Sequence, residues 1–382
     1  MVNLDLIFAL VFYGVLFVLF LRYRDKFDVQ GKIFVLYKTK FGLKLMDKIS
    51  KIWPKLLKVI GVIGVVVGFL GMINIFYILA KGAFDLVFNG GAPVVAPVFP
   101  GMSIGGVNLG FWHWIVGLFI IAVIHEFSHG IVARLYGVKI KSSGFAFLGP
   151  LLAAFVEPDE KQMKKVSKLG QLSVFAAGPF SNIVSGILVF IVLMLFVNPF
   201  ALGFYNMEGV EVVRVEDGLP FDIAGIEDGE VVEMINGVEV VDVIKFRDVM
   251  MEVEGGSNVL IKTDKGEYNV LTVEKEEKAH LGVFIQNKLG ELKEKNWKIS
   301  LFLWFRDLLN WVFVFSLGVG LFNLLPLAIV DGGRMINTFL SYFLKKEKVH
   351  KIWLWLTWFV LVLLFINLLP FFLKLVGFLK IF

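Results

Sequence analysis

Read for its alternation of apolar and polar positions, the chain resolves into six long apolar runs separated by charged or irregular stretches. The runs cover residues 3–21, 59–80, 111–135, 171–197, 297–325 and 352–382. A helix crosses a bilayer with roughly 18–20 apolar residues, so each run predicts a spanning helix. The first run does not have the form of a signal peptide. Asp5 stands where a basic start would be, and Arg22, Tyr23 and Arg24 follow the run, so it reads as a retained span. The last run is interrupted at Pro370 and either crosses once or breaks midway.

Two further stretches are apolar but rich in Gly and Pro. Residues 82–110 cannot be helical on this composition, and residues 143–156 are too short to span. Irregular backbone at membrane depth survives only where protein or a water-filled cavity satisfies its polar groups. A short, partly embedded β-hairpin is expected in the first stretch and a second hairpin or loop in the other. Residues 207–288 differ from all of these, with short alternating runs at 210–215, 231–235, 259–262 and 268–273. Asn236-Gly237 follows one run and marks a tight turn, and residues 244–253 read as a short helix. The fold class is therefore a polytopic α-helical membrane protein of about six transmembrane helices, with an inserted small β-rich domain.

Composition agrees. Of 382 residues, 57% are hydrophobic and 19% charged, and the mean hydropathy is +0.78. The net charge of +5 is concentrated in loops, above all residues 22–58, 161–168 and 345–351. Lys- and Arg-rich loops face the cytoplasm. This puts the N-terminus and the β-rich module outside and ends the third span inside. The loop 22–58 also reads as the solvated face of an interfacial helix, able to meet anionic lipid. No basic groove with stacking aromatics is present, so nucleic acid is not an expected partner. There are no cysteines, which excludes disulfides and thiolate metal sites. The predicted organisation is 1–110, two leading helices with a basic cytoplasmic loop and the possible hairpin; 111–200, core helices; 205–290, the β-rich domain; 297–345, a further core helix; and 350–382, a C-terminal span.

The chemistry-bearing stretch is His125-Glu126-Phe127-Ser128-His129, inside the third span. Residues four apart share a helix face, so His125 and His129 can hold one metal ion. Ionisable groups inside a bilayer mark a functional site by default. The alternative is a pair of core histidines packed with a glutamate, which is expensive there. A catalytic zinc commonly takes three protein ligands and leaves one position open. Asp331, the acid in a long apolar stretch broken by Pro326 and Gly332-Gly333, is the expected third ligand. Glu157 is the runner-up, at what looks like a solvated boundary. Glu126 would be the general base. Asn182 and Asn323, amides within spans, are candidates for contacting substrate or an oxyanion. Arg306 and Asp307 read as a structural pair.

Three motifs together, His125-Glu126-x-x-His129, Gly178-Pro179-x-x-Asn182 and Asn323-x-x-Pro326-x-x-x-x-Asp331-Gly332, resemble the site-2 protease family of intramembrane metalloproteases. Residues 219–240, with Ala224-Gly225, Gly229 and Asn236-Gly237, look like part of a PDZ domain, as in the PDZ-containing members. The resemblance covers roughly residues 110–345. It implies one Zn2+ held by His125, His129 and Asp331, with Glu126 as base and Asn182 and Asn323 as substrate contacts. It implies cleavage of a transmembrane protein substrate near the cytoplasmic face, and a peptide or substrate ectodomain at the PDZ-like domain. Two spans precede the H-E-x-x-H helix, whereas many members begin with that helix. Two other readings stand beside this one: an ion or metal transporter using intramembrane His and Asp, and a non-catalytic PDZ scaffold. A transporter needs a continuous polar path, and polar residues cluster only in the inner half of the spans.

Overall fold

The computed structural model describes residues 4–30, 34–104, 106–148, 151–275 and 278–379. Helix α1 (Leu4–Arg22) is followed by strands β1 (Phe27–Gln30) and β2 (Phe34–Thr39), helix α2 (Leu43–Ile52) and the long helix α3 (Pro54–Phe88). A two-strand hairpin, β3 (Ser103–Ile104) with β4 (Val107–Asn108), precedes α4 (Phe111–Leu135). Strands β5 (Ile140–Leu148) and β6 (Leu151–Pro158), a single turn α5 (Glu160–Met163) and α6 (Lys168–Val192) complete the first half. Among the described residues, six helices are long and apolar enough to cross a membrane, as the pattern predicts.

Two expectations need correction. Residues 82–88 are helical, as the end of α3, because no breaker intervenes before Gly90-Gly91 and Pro93. Gly82 also suits that helix: a Cβ there would meet Val94 Cγ2 at 2.4 Å and Asn367 Oδ1 at 2.8 Å. The basic loop 22–58 is also more than a solvated helix face. It contains β1 and β2, which join β5 and β6 in an antiparallel sheet of order β1-β2-β5-β6. In this sheet Phe34 faces Leu148, Thr39 faces Ser143, and Ser143 faces Val156. The short alternating run Phe34-Val-Leu-Tyr-Lys-Thr carries a strand signal that the density of lysines around it conceals.

The chain divides into two compact units, residues 1–193 with 305–382, and residues 194–304. The second contains α7 (Asn198–Leu202), β7 (Tyr205–Val215), α8 (Pro220–Ile223), β8 (Val231–Ile235), β9 (Val238–Glu239), α9 (Val243–Met251), β10 (Asn258–Thr263), β11 (Glu267–Leu271), β12 (Val273–Lys275), β13 (Lys278–His280) and β14 (Val283–Leu292). Its main sheet runs β11-β10-β8-β7-β14 around a core that includes Val210, Phe221, Val232, Ile235, Ile261 and Val270. Asn236 and Gly237 both have positive φ, 48° and 79°, and form the two-residue turn between β8 and β9. The buried carboxylate of Glu230 is fully engaged. It accepts from Thr263 Oγ1 at 2.7 Å and from the Glu227 N–H at 3.0 Å.

Three helices follow: α10 (Trp297–Asn323), α11 (Asp331–Leu340) and α12 (Lys346–Leu379), the last continuing through Pro370. Inside a bilayer, lipid tails are as apolar as leucine, so helices associate through close packing more than through the hydrophobic effect. Glycines supply it here. Gly61 and Gly64 of α3 receive Ser173 and Phe180 of α6, Gly68 receives Met335 of α11, and Gly117 of α4 receives Phe315 of α10. Helix α4 thereby lies among α6, α10 and the sheet.

Candidate metal centre

Two helices bring one group together. Helix α4 presents His125 and His129 on one face, and α11 begins with Asp331. The segment 324–330 breaks between α10 and α11, and its backbone lies against the start of α11. A Cβ on Gly332 would sit 2.2 Å from the Leu324 carbonyl oxygen, and one on Gly333 would sit 1.8 Å from that of Leu327. Only glycine permits this approach. The two glycines after Asp331 are thus a backbone contact that fixes where the carboxylate emerges.

The donor atoms form a near-equilateral triangle. His125 Nε2 lies 3.0 Å from Asp331 Oδ2, His129 Nε2 lies 3.1 Å from the same oxygen, and the two nitrogens are 3.2 Å apart. A tetrahedral zinc with bonds of about 2.0–2.1 Å holds its ligand atoms about 3.3 Å apart. The spacing fits. His125 and Asp331 are both 7% exposed, so water does little to stabilise them. Among the described residues, this is the one group of three metal-ligating side chains gathered in this way.

The surrounding hydrogen bonds strengthen the fit. His129 Nδ1 lies 2.6 Å from the Val174 carbonyl oxygen of α6 and donates to it. Pro179, inside α6, has no N–H for the carbonyl of Phe175, the residue next to Val174. With Nδ1 carrying the proton, neutral His129 turns a lone pair at Nε2 toward the carboxylate oxygen. Two acceptors facing each other at 3.1 Å are bridged by a proton or by a metal ion, and the triangle has the spacing for the metal. On the other imidazole, Asn182 places its amide 3.1 Å from His125 Nδ1. As oriented, its Oδ1 is buried without a partner. With the amide oxygen and nitrogen exchanged, which have the same shape, Oδ1 accepts the Nδ1–H of His125 and leaves Nε2 free for a metal.

Gly178 completes the pocket. A Cβ there would lie 2.4 Å from His129 Nε2 and 2.6 Å from His125 Nε2, so the α6 backbone runs directly against the imidazole pair. The sequence marks Gly178 as a small residue at a helix contact and does not reveal that the contact is with the candidate ligands.

The other candidates fall as follows. Glu126 is beside the triangle, not in it. Its Oε2 accepts the N–H of Val156 on β6 at 3.0 Å. Glu157 is on the same strand but accepts from Ser142 Oγ at 2.6 Å and lies 3.9 Å from Lys38 Nζ, outside the ligand group. Asn182, expected to face substrate, is fully buried and meets His125 instead. Asn323 donates to the Val319 carbonyl of its own helix at 3.0 Å. Arg306 and Asp307 pair side by side at 2.8 Å.

A family model described as Peptidase family M50 matches residues 113–350, the stretch that carries all three ligands. An uncharacterized protein of Methanocaldococcus jannaschii is 26% identical over 332 residues, 85% of this chain and 83% of that one. Among solved structures, the PDZ domain of an SdrC-like protein from Listeria innocua is 24% identical, with 20% of this chain and 93% of that one covered and a TM-score of 0.19. The corresponding domain from Listeria monocytogenes is 20% identical, with 20% and 86% covered and a TM-score of 0.18.

Proposed function

The chain belongs to peptidase family M50, the site-2 protease family of membrane metalloproteases, and on that premise we propose that it is an intramembrane zinc endopeptidase. The observation that carries this reading is the triangle of His125, His129 and Asp331, whose lone pairs converge within an apolar helical unit. A zinc ion there would supply Lewis acidity, polarising a peptide carbonyl and acidifying water.

The chain's own residues do the rest. His125, His129 and Asp331 hold the ion, and Asn182 and the Val174 carbonyl hold the two imidazoles in the required tautomer. Glu126, one position round the helix from His125, takes the proton from the attacking water and passes it to the leaving amine. Among the described residues strand β6 pairs only with β5, and its Val156 N–H already reaches Glu126. An extended substrate segment alongside β6 would therefore lie next to the base. Asn323 would need to turn from its own helix to reach such a segment. The substrate is a transmembrane protein, and the PDZ-like unit would bind a peptide or the substrate's ectodomain. The lysine-rich loops support a reading in which cleavage is near the cytoplasmic face and the PDZ-like unit is outside.

The test combines metal analysis with cleavage of a membrane-embedded reporter. Glu126→Gln should retain one zinc per chain and lose cleavage by at least about 100-fold, the low end for a general base. His129→Ala should lose both. Cleavage by the Glu126→Gln protein at the wild-type rate would refute the assignment of the base.

A further inference from the structure

Helix α2 has three distinct faces. At about 3.6 residues per turn, Met46 and Ser50 lie together and are buried. Lys44, Lys48 and Lys51 form a second stripe opposite them, all exposed. Leu45 and Ile52 form a third, also exposed. Aromatic residues flank both ends, with Phe41 84% and Trp53 66% exposed. The one acid of the helix, Asp47, pairs with Arg134 at 3.0 Å. Among the described residues the three lysines have no ion pair.

An exposed apolar stripe beside a lysine stripe, between two exposed aromatics, is how a helix lies in a membrane interface. The apolar stripe enters the acyl boundary, the aromatics sit at headgroup depth, and the lysines meet phosphates. Helix α2 leads directly to α3, a membrane span, so its level is already that of the interface.

The buried face meets the candidate centre's own helix. Met46 Sδ lies 2.5 Å from where a Cβ on Gly130 would be, and Phe127 Cε2 lies 3.1 Å from the corresponding point on Gly42. Both contacts are on the turn of α4 that carries His129. The segment leading into α2 is tied to the sheet, because Ser143 Oγ donates to the Phe41 carbonyl at 2.6 Å.

We propose that α2 is a binding surface for anionic phospholipid, with the headgroups on Lys44, Lys48 and Lys51, and that its seating on the membrane positions the His125–His129 turn through Met46. The lipid surface rests on the membrane-spanning reading alone; the effect on activity rests also on the protease reading.

The test uses the full-length protein in phosphatidylcholine vesicles carrying spin-labelled phosphatidylglycerol or spin-labelled phosphatidylcholine. The immobilised fractions give the relative affinity for the anionic lipid. Wild type should prefer it, and the Lys44→Gln/Lys48→Gln/Lys51→Gln variant should lose that preference by about tenfold, a screened value for three juxtamembrane lysines. Because the chain has no cysteine, Leu45→Cys gives a single labelling position, whose fluorophore should be quenched by lipids bearing a nitroxide near the headgroup. Cleavage by wild type should rise with phosphatidylglycerol content, and cleavage by the triple variant should not. Equal lipid selectivity in wild type and variant, or no quenching at position 45, overturns the surface. Wild-type cleavage independent of lipid charge overturns the coupling. No cleavage by wild type in any lipid, with an anionic preference that the triple variant loses, refutes the protease reading and supports the lipid surface.

Discussion

Replacing Gly178 with alanine adds one methyl group where α6 crosses the two imidazoles. The new carbon would lie 2.4 Å from His129 Nε2, whereas ordinary contact begins at 3.4 Å, an overlap of about 1.0 Å by difference. It would also lie 2.6 Å from His125 Nε2, so neither ring can give way without meeting the other. Zinc ligand distances hold within about 0.2 Å, and a misplacement of about 1 Å in a catalytic site costs about 100-fold. The fold should tolerate the change. Overpacking costs about 1–3 kcal/mol, and alanine in place of a mid-helix glycine returns about 1 kcal/mol. Gly178→Ala should therefore purify as a folded protein, bind zinc about 10–100-fold more weakly against a competing chelator, and cleave a reporter at least about 100-fold more slowly. Gly318→Ala is the control, because a Cβ there meets nothing within 4 Å. It should cleave as wild type does and melt at the same temperature or slightly higher. Wild-type zinc affinity and cleavage in Gly178→Ala would refute the claim that bare α6 backbone shapes the centre.

Asn182→Leu keeps the side chain's size but removes the acceptor for His125, and should weaken zinc binding about 10–100-fold. Asn182→Asp keeps an acceptor for Nδ1–H and should restore most of it. Equal affinity in all three proteins would mean that Asn182 does not orient His125. At the turn before α6, the Gln162 N–H donates to Asp159 at 3.0 Å and holds its carboxyl below the ordinary value of 3.8. This contribution is complete above that ordinary value and is lost as pH falls through the lower folded one. Asp159→Asn should therefore flatten the acid limb of thermal stability below about pH 4, measured by unfolding scans across pH. An unchanged acid limb would show that the bond contributes nothing.

How much the sequence reveals follows from the range of each signal. The six spans are visible because a run of about twenty apolar residues is rare outside a membrane. His125 and His129 are visible because helical spacing is local, and Asp331 because an acid in a long apolar stretch stands out. The sheet is legible only in part. Residues 143–156 suggest a hairpin, but their partner β2 lies 104 residues away from Ser143 to Thr39, beyond any local pattern. The lysines of 22–58 also point toward a solvated surface and away from a strand. Asn182 stands out as an intramembrane amide, yet a substrate role does not follow, because sequence shows that an amide is present and not which way it faces. Gly178 and the Val174 carbonyl act through backbone, and backbone contacts leave almost no mark in residue type.

That same separation sets an order of events during synthesis. The β1-β2 hairpin is made before α3 and α4, and the strand that covers β2 is made after both. At about 5–20 residues per second, the 104 residues between Thr39 and Ser143 take roughly 5–20 s to emerge. For that interval β2 presents an open edge at the membrane surface, and open edges recruit other strands. Only when β5 arrives, directly after α4 has been inserted, can the sheet close. The element next to the candidate centre is therefore assembled late. A truncated chain ending before β5 would carry the H-E-x-x-H helix without β6, the strand whose Val156 N–H contacts its glutamate, and without Asp331, the third member of the metal-ligating group.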